Sequence, residues 1–277
     1  MADSIKKRVT TAAVLVAVLL AVILWLPPEA TVIALTLVLL TGAWEWSAFL
    51  RPPNVAYRLA YVAVVAILLP LAWHFAQAPG GRNLLLNIAL VWWIIALLWV
   101  MFAPRRVAAW SAAVAGVLAL VPAWVALLSL RLDLERGAEW ILFALILVWA
   151  ADIGAFFIGR KFGRLRLAPT VSPGKTWEGV IGGMVASALV AVLGAWWFGR
   201  TFSITIAQFL PMCLAVVAFS IVGDLTESLL KRFAGVKDSG SLFPGHGGVM
   251  DRIDSVTGAA PILLIGLIML RVPGVHS

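Results

Sequence analysis

The stretch LLLNIALVWWIIALLWVMF, residues 84–102, decides the fold class of this chain. It contains no charged side chain, and as an α-helix it is long enough to cross a hydrocarbon core of about 30 Å. Similar apolar stretches lie on both sides of it along almost the whole sequence. The pattern predicts about nine spanning helices, at residues 10–26, 30–50, 57–76, 84–102, 107–130, 138–158, 178–198, 204–222 and 255–270.

The composition supports an all-α polytopic integral membrane protein. Of 277 residues, 63% are hydrophobic and only 12% are charged, and the mean hydropathy is +1.03. Such a chain has too few polar side chains to cover a soluble globule. We divide it into an N-terminal transmembrane scaffold, residues 1–137, and a C-terminal transmembrane region, residues 138–277, that gathers the functional candidates.

The basic residues predict an orientation in the membrane. The net charge of +8 is distributed over short connections, which is typical of the positive-inside rule and does not indicate a nucleic-acid partner. With a cytoplasmic N-terminus and nine spans, 16 of the 21 lysines and arginines fall on the cytoplasmic side. The C-terminus then lies outside. Tryptophans near the ends of the predicted spans, such as Trp46 and Trp93, are interpreted as anchors at the membrane interface.

Most remaining ionisable residues fall in two predicted cytoplasmic loops, residues 159–177 and 223–254, which we expect to form the active site. Asp152 precedes the first loop inside a predicted span. An acid at that depth is a functional candidate, and the alternative is a structural ion pair with Arg160 or Lys161.

Two further residues are left out of the predicted site. Glu45 lies inside a span and could face a polar cavity, but it is only two turns from Arg51, so its carboxylate could instead reach the lipid headgroups. Cys213 is the only cysteine of the chain and lies in an apolar stretch, which indicates a buried hydrophobic side chain.

The segment SPGKTWEG, residues 172–179, contains Gly-Lys-Thr but does not fit a P-loop. Pro169 stands where the P-loop requires glycine, and no β-strand is predicted before it. We instead expect Lys175 to project from a Pro/Gly turn toward a phosphate or toward anionic headgroups. In the helix that follows, Gly179, Gly183 and Ser187 predict a face for close helix packing.

The segment DLTESLLK, residues 224–231, predicts a polar stripe at the end of the eighth span. At 100° per residue, four polar side chains fall within an arc of about 100°: Asp224, Glu227, Ser228 and Lys231. A solvated helix face would give the same pattern.

The glycine-rich segment 237–254 is the strongest candidate for chemistry. Its glycines allow the backbone to approach a ligand, and Asp238, Asp251 and Asp254 offer hard oxygen ligands that suit Mg²⁺. His246 has no second histidine or cysteine nearby, which argues against zinc. As an alternative, Asp254 or Ser255 caps the last helix.

Three motifs in this region, SLLKR (228–232), VKDSG (236–240) and PGHGGVMDRID (244–254), closely resemble the signature of the phosphatidate cytidylyltransferases. The stretches ADIGAF (151–156) and SPGKTWEG (172–179) also resemble that family. The resemblance implies that CTP and phosphatidic acid react to give CDP-diacylglycerol and pyrophosphate. It also implies a homodimer in the bacterial inner membrane.

The resemblance further implies roles for individual residues. Phe156 replaces an expected tyrosine and Gly174 a common second lysine, which leaves Lys175 as the expected phosphate contact. Asp224 and Asp251 would bind Mg²⁺ with Ser228 as a further ligand, and Asp152 would hold a second cation or orient a lysine. Lys231, Arg232 and Lys237 would contact phosphates. Arg252 would contact substrate or pair with Asp251 or Asp254. His246 would bind or protonate a phosphate oxygen, or it would stabilise the loop by a hydrogen bond.

Three other functions would use a similar chain. A transporter or lipid flippase could line its path with acids such as Asp152 and Asp224, but the polar residues gather at one face and no inverted repeat is visible. A membrane scaffold has little use for a polar glycine-rich loop. A phosphotransferase that consumes CDP-diacylglycerol would carry an Asp-Gly-x-x-Ala-Arg pattern, which is absent.

Overall fold

The computed structural model describes residues 14, 16–51, 54–242 and 247–274. Nearly all of this part of the chain is helical. Helix α1 covers residues 16–24, and it is followed by α2 (Pro28–Phe49), α3 (Val55–Ala76), α4 (Gly81–Phe102), α5 (Ala109–Leu132), α6 (Gly137–Phe162), α7 (Trp177–Phe202), α8 (Ile206–Ala234) and α9 (Met250–Met269). Within the described residues, the eight helices α2–α9 are long and apolar enough to cross a membrane. The predicted all-α membrane fold is confirmed.

Two helix boundaries differ from the predicted spans by five residues or more. Helix α8 continues to Ala234, well past the predicted end at residue 222, because its polar side chains share one face while its leucines cover another. Helix α9 begins at Met250 instead of residue 255. Asp254 and Ser255 therefore lie inside α9, and the prediction that one of them caps this helix is wrong.

A small antiparallel sheet occupies the segment predicted to be a Pro/Gly turn. Strand β1 (Arg166–Ala168) pairs with β2 (Ser172–Thr176), and Lys175 lies in β2. The prediction that no strand precedes Lys175 is wrong, because residues on both sides of the Pro169 turn form backbone pairs. Thr176 then caps α7 by accepting a hydrogen bond of 3.1 Å from the Gly179 N–H.

Helices α6 and α7 pack closely through the predicted small-residue face. A Cβ on Gly179 or Gly183 would lie only 3.0 Å or 2.8 Å from a backbone carbonyl oxygen of α6. Farther along, the hydroxyl of Ser187 donates a hydrogen bond of 3.2 Å to the carbonyl of Leu147. The predicted packing face is confirmed, and it holds β2 beside the end of α6.

Helix α9 lies in the interior of the helical bundle. It packs against α2, α4, α5, α6 and α8, and nearly all of its side chains from Asp254 to Leu264 are buried. It approaches α8 closely at Gly223, where a Cβ would lie 2.5 Å from the carbonyl oxygen of Asp254. This contact brings the polar ends of α8 and α9 together.

The buried tryptophans correct one prediction. Trp46 and Trp93 are each 1% exposed and belong to the hydrophobic core. The indole N–H of Trp46 donates a hydrogen bond of 2.8 Å to the carbonyl of Ala112 in α5. These two side chains pack between helices and do not act as interfacial anchors, because their partners lie inside the bundle.

The connections predicted to lie outside meet at one end of the bundle. Arg82 at the start of α4 forms an ion pair of 2.8 Å with Asp133 after α5. Arg136, before α6, donates a hydrogen bond of 3.0 Å to the hydroxyl of Thr201 near the end of α7. The end of α6 and the start of α7, where β1 and β2 lie, are therefore at the opposite end of the bundle.

Candidate active site

The polar stripe of α8 is buried at the end of the bundle. Glu227 is fully buried, Ser228 is 8% exposed and Lys231 is 9% exposed. Hydrogen bonds or ion pairs connect these side chains with Asp224 and with the first turn of α9. The predicted common face is confirmed, and the alternative of a solvated helix face is wrong.

The first half of the cluster joins β2 to α8. Lys175 forms an ion pair with Asp224, and each of these side chains is about one quarter exposed. The hydroxyl of Ser228, one turn further along α8, donates a hydrogen bond of 3.3 Å to Asp224 Oδ1. The strand extends Lys175 across to α8, which explains why two residues 49 positions apart meet here.

The second half of the cluster joins α8 to α9 through Lys231. Its ammonium forms ion pairs with Glu227, one turn earlier, and with Asp251 Oδ1 at 2.7 Å. Among the described residues, Glu227 Oε1 has no hydrogen-bond donor although its carboxylate is completely buried. One lysine therefore offsets the charge of two acids that are largely buried.

Asp251 is held by backbone and side-chain donors as well as by Lys231. Its Oδ2 accepts hydrogen bonds from the Ser239 N–H at 2.9 Å and the Gly248 N–H at 2.8 Å. Ser239 Oγ also lies 2.9 Å from the same oxygen. These contacts fix the carboxylate at the point where the glycine-rich segment enters α9.

A cavity of about 590 Å³ opens beside Lys175 and Asp224. Asp152 lines it, and the described residues contain no ion pair between Asp152 and Arg160 or Lys161. The structural alternative proposed for Asp152 is therefore not observed. Arg160 and Arg166 also line the cavity, and the sequence reasoning missed both as site residues. The positive charge of loop 159–177 was the signal that could have identified them.

The remaining predicted site residues lie at the edge of the cluster. Arg232 donates a hydrogen bond of 3.3 Å from Nε to the carbonyl of Val171. Lys237 and Asp238 are exposed, and Arg252 is an exposed residue in the first turn of α9. His246 lies outside the described residues, so its predicted role stays a prediction.

Glu45 belongs to the site, contrary to the prediction. This acid of α2 is 5% exposed, and its Oε2 accepts a hydrogen bond of 2.7 Å from the Met250 N–H. The signal was available in the sequence, because Glu45 is an acid inside a predicted span, as Asp152 is. The alternative of a headgroup contact was given too much weight.

The carboxylates suit a hard cation that is shared with a substrate. Among the described residues, no three His, Cys, Asp or Glu side chains converge to form a complete metal-binding group. Mg²⁺ commonly binds one or two carboxylates and completes its shell with water and substrate phosphates. Asp224, which is about one quarter exposed and lies beside the Ser228 hydroxyl, offers oxygens of this kind.

Comparison with known proteins identifies the family. The sequence model of the cytidylyltransferase family matches residues 6–270. The chain belongs to the cytidylyltransferase family. This result confirms that the family resemblance extends far beyond the C-terminal motifs that indicated it. It also makes the chain a nucleotidyltransferase with its charged cluster at one end of a helical membrane bundle.

Individual relatives of this cytidylyltransferase agree with the family match. Phosphatidate cytidylyltransferase of Haemophilus influenzae is 40% identical over 93% of this chain and 96% of its own length. The enzyme of the same name from Pseudomonas aeruginosa is 41% identical over 93% of this chain and 95% of its own length. A third, from Synechocystis, is 47% identical over 44% of this chain and 41% of its own length. The recognised resemblance to phosphatidate cytidylyltransferases is thereby confirmed.

Proposed function

We propose that this enzyme transfers the cytidylyl group of CTP to phosphatidic acid, giving CDP-diacylglycerol and pyrophosphate. The observation that carries this proposal is the ion pair of Lys175 with Asp224 in the lining of an open cavity, with the ion pair of Lys231 and Asp251 further along α8. The names of the two relatives that match nearly the full chain support the same substrate pair.

The cavity suits one substrate that is lipid and one that is a polyanion. Arg160, Arg166 and Lys175 provide positive charge in its lining, whereas Phe156 and Val180 provide apolar surface. Phosphatidic acid keeps its acyl chains in the bilayer and its phosphate at the surface, so it needs both kinds of contact. We expect its phosphate to lie near the basic residues and its chains to leave along the apolar side.

The chemistry needs charge compensation and alignment more than a nucleophilic side chain. A phosphatidate oxygen attacks the α-phosphorus of CTP in line, a new P–O bond forms, and pyrophosphate leaves with the electrons of the broken bond. Lys175 and Lys231 are assigned to the phosphates, where a fixed positive charge stabilises developing negative charge. Arg232, Lys237 and Arg252 are candidates for further phosphate contacts.

Asp224 and Asp251, with Ser228 as a further ligand, would hold Mg²⁺, which would neutralise phosphate charge when bound. To bind a cation, these acids must exchange their present lysine contacts for contacts shared with the metal. Lys175 and Lys231 would then be free to reach the triphosphate. Asp152 is proposed to orient Lys175 or to contact a second cation across the same cavity.

The reaction requires the cluster to face the cytoplasm, where CTP is available. The positive-inside distribution supports this orientation, with the N-terminus inside, the C-terminus outside and the protein in the bacterial inner membrane. A homodimer follows only from the family resemblance and is proposed on that basis.

The direct test is product formation by detergent-purified protein supplied with CTP, phosphatidic acid and Mg²⁺. We expect CDP-diacylglycerol from the wild type and from Glu135→Gln, an exposed acid at the other end of the bundle. We expect none with a chelator and at least roughly 100-fold less from Asp251→Asn.

A well-folded wild-type protein that makes no product over a range of lipids and detergents would refute the proposal. Flux of labelled phosphatidic acid between liposome leaflets would then test the transporter or flippase alternative. The gathering of charged pairs at one end of α8 and α9 favours catalysis over that alternative, since a permeation path needs polar residues through the depth of the bundle.

A further inference from the structure

Glu45 is a buried acid on a helix that contributes none of the family motifs. A carboxylate inside a spanning helix is unfavourable unless donors satisfy it. Here Oε2 accepts the Met250 N–H at 2.7 Å and lies 3.1 Å from Ser239 Oγ. Both donors belong to the segment that holds Asp251. Glu45 therefore connects α2 to the catalytic segment across about 200 positions of the sequence.

Two glycines make room for this carboxylate. A Cβ on Gly240 would overlap Glu45 Oε1, and a Cβ on Gly248 would overlap Glu45 Oε2 and Ser239 Oγ. The backbone of the segment thus lies directly against the Glu45 carboxylate on both sides, an approach that only glycine permits. The described backbone at Gly240 and at Gly248 therefore lies on two sides of the Glu45 carboxylate.

Ser239 connects Glu45 to Asp251. Its Oγ lies 2.9 Å from Asp251 Oδ2 and accepts the Asp251 N–H at 3.2 Å. A hydroxyl has one hydrogen, so Ser239 can donate to only one of the two carboxylates at a time. The position of Glu45 therefore influences how strongly Ser239 holds Asp251.

We propose that Glu45 is a positioning residue for Asp251. It anchors Ser239 and Met250, and through Ser239 it fixes the direction in which the Asp251 carboxylate faces Lys231 and the substrates. The proposal rests on the proposed function, because it assigns Glu45 a purpose in the reaction of Asp251. It extends the active site to α2, in the N-terminal half that was interpreted as scaffold.

The test compares Glu45→Leu and Glu45→Gln with Glu29→Gln, a control at an exposed acid in the first turn of the same helix. Leucine is compatible with an apolar spanning helix but leaves the Met250 N–H without its acceptor, so we expect the thermal midpoint to fall by only a few degrees, and activity is measured well below it. We expect kcat to fall roughly 10- to 100-fold, as for other residues that support a metal or catalytic ligand. KM for CTP should stay within about twofold, because a positioning residue acts through Asp251 and makes no substrate contact of its own.

Glutamine provides the conservative comparison. Its side-chain carbonyl can still accept the Met250 N–H, so kcat of Glu45→Gln should lie between those of the wild type and Glu45→Leu. A purely structural role predicts instead that loss of activity follows loss of thermal stability across the three variants. Equal kcat values for Glu45→Leu and wild type would overturn the positioning role.

Hydrogen exchange gives a readout that does not depend on the reaction. The backbone amides of Ser239 and Gly248–Asp251 should exchange faster in Glu45→Leu than in wild type or Glu29→Gln. Unchanged exchange would overturn the anchoring by Glu45. If the wild type made no product, the proposed function would fail, and the exchange comparison would still support or overturn the anchoring by itself.

Discussion

Replacing Lys231 with methionine tests the charge balance of the cluster. The Lys231 ammonium pairs with Glu227 and, at 2.7 Å, with Asp251, and the exposed fractions of the three side chains are 11%, 0% and 9%. Together the three groups carry a formal charge of −1, which becomes −2 in Lys231→Met. Methionine has a similar length, so the main effect is the loss of the only cation that either acid contacts in the described ion pairs.

The expected destabilisation follows from the burial of these groups. Removing one partner of a buried ion pair typically costs about 3–5 kcal/mol, because an uncompensated charge remains. Asp251 keeps its donors from Ser239 and Gly248, so we expect a value of about 3 kcal/mol. At roughly 2–4 °C per kcal/mol, the thermal midpoint should fall by roughly 6–12 °C.

The assay is thermal unfolding of the purified variants in one detergent. Lys161→Met, at an exposed lysine next to the Phe162 ring, should keep the wild-type midpoint. The double variant Glu227→Gln, Lys231→Met should recover at least half of the loss, because it removes the buried negative charge as well. A wild-type midpoint in Lys231→Met, or a double variant no better than the single one, would refute this description of the cluster.

Three further predictions test other parts of the structure. Lys175→Met should lower kcat roughly 100-fold, whereas Lys161→Met should not, when CDP-diacylglycerol formation is measured. Gly183→Val should destabilise the protein by about 1–3 kcal/mol, because its Cβ would lie 2.8 Å from a backbone oxygen of α6, while Gly174→Ala, in open space, should leave the midpoint unchanged. Lys237→Cys should react with a membrane-impermeant thiol reagent only from the cytoplasmic side of inverted vesicles; labelling from the outside of intact cells would contradict the orientation.

The helices were predictable because the bilayer imposes a length on them. Eight of the nine predicted spans are helices long enough to cross a membrane, and the first predicted span lies partly outside the described residues. The period of 3.6 residues brought Glu227 and Lys231 onto one face. The same local reasoning correctly predicted a packing face that contains Gly183, although it did not predict that α6 is the partner. These features depend on neighbours in the sequence, so a single sequence contains enough information to predict them.

The features that the sequence did not predict depend on distant partners. Glu45 is satisfied by Met250 and Ser239, which lie far along the chain, so no local pattern indicated its donors. The position of Trp46 near the end of a span is compatible with the membrane interface and with the protein core. Its hydrogen bond to Ala112, which is distant in the sequence, shows that it lies in the core. The start of α9 was placed too late because glycines and acids before Asp254 are typical of loops, although tertiary contacts stabilise a helix there.

The reaction itself can be tested with CTP radiolabelled at the α-phosphorus or, in a parallel sample, at the γ-phosphorus. The proposed attack predicts that the α-label enters the lipid in a Mg²⁺-dependent manner and that the γ-label appears in pyrophosphate, with one pyrophosphate released per CDP-diacylglycerol formed. Transfer of the γ-label to the lipid, or no labelled lipid from well-folded wild-type protein, would contradict the proposed function.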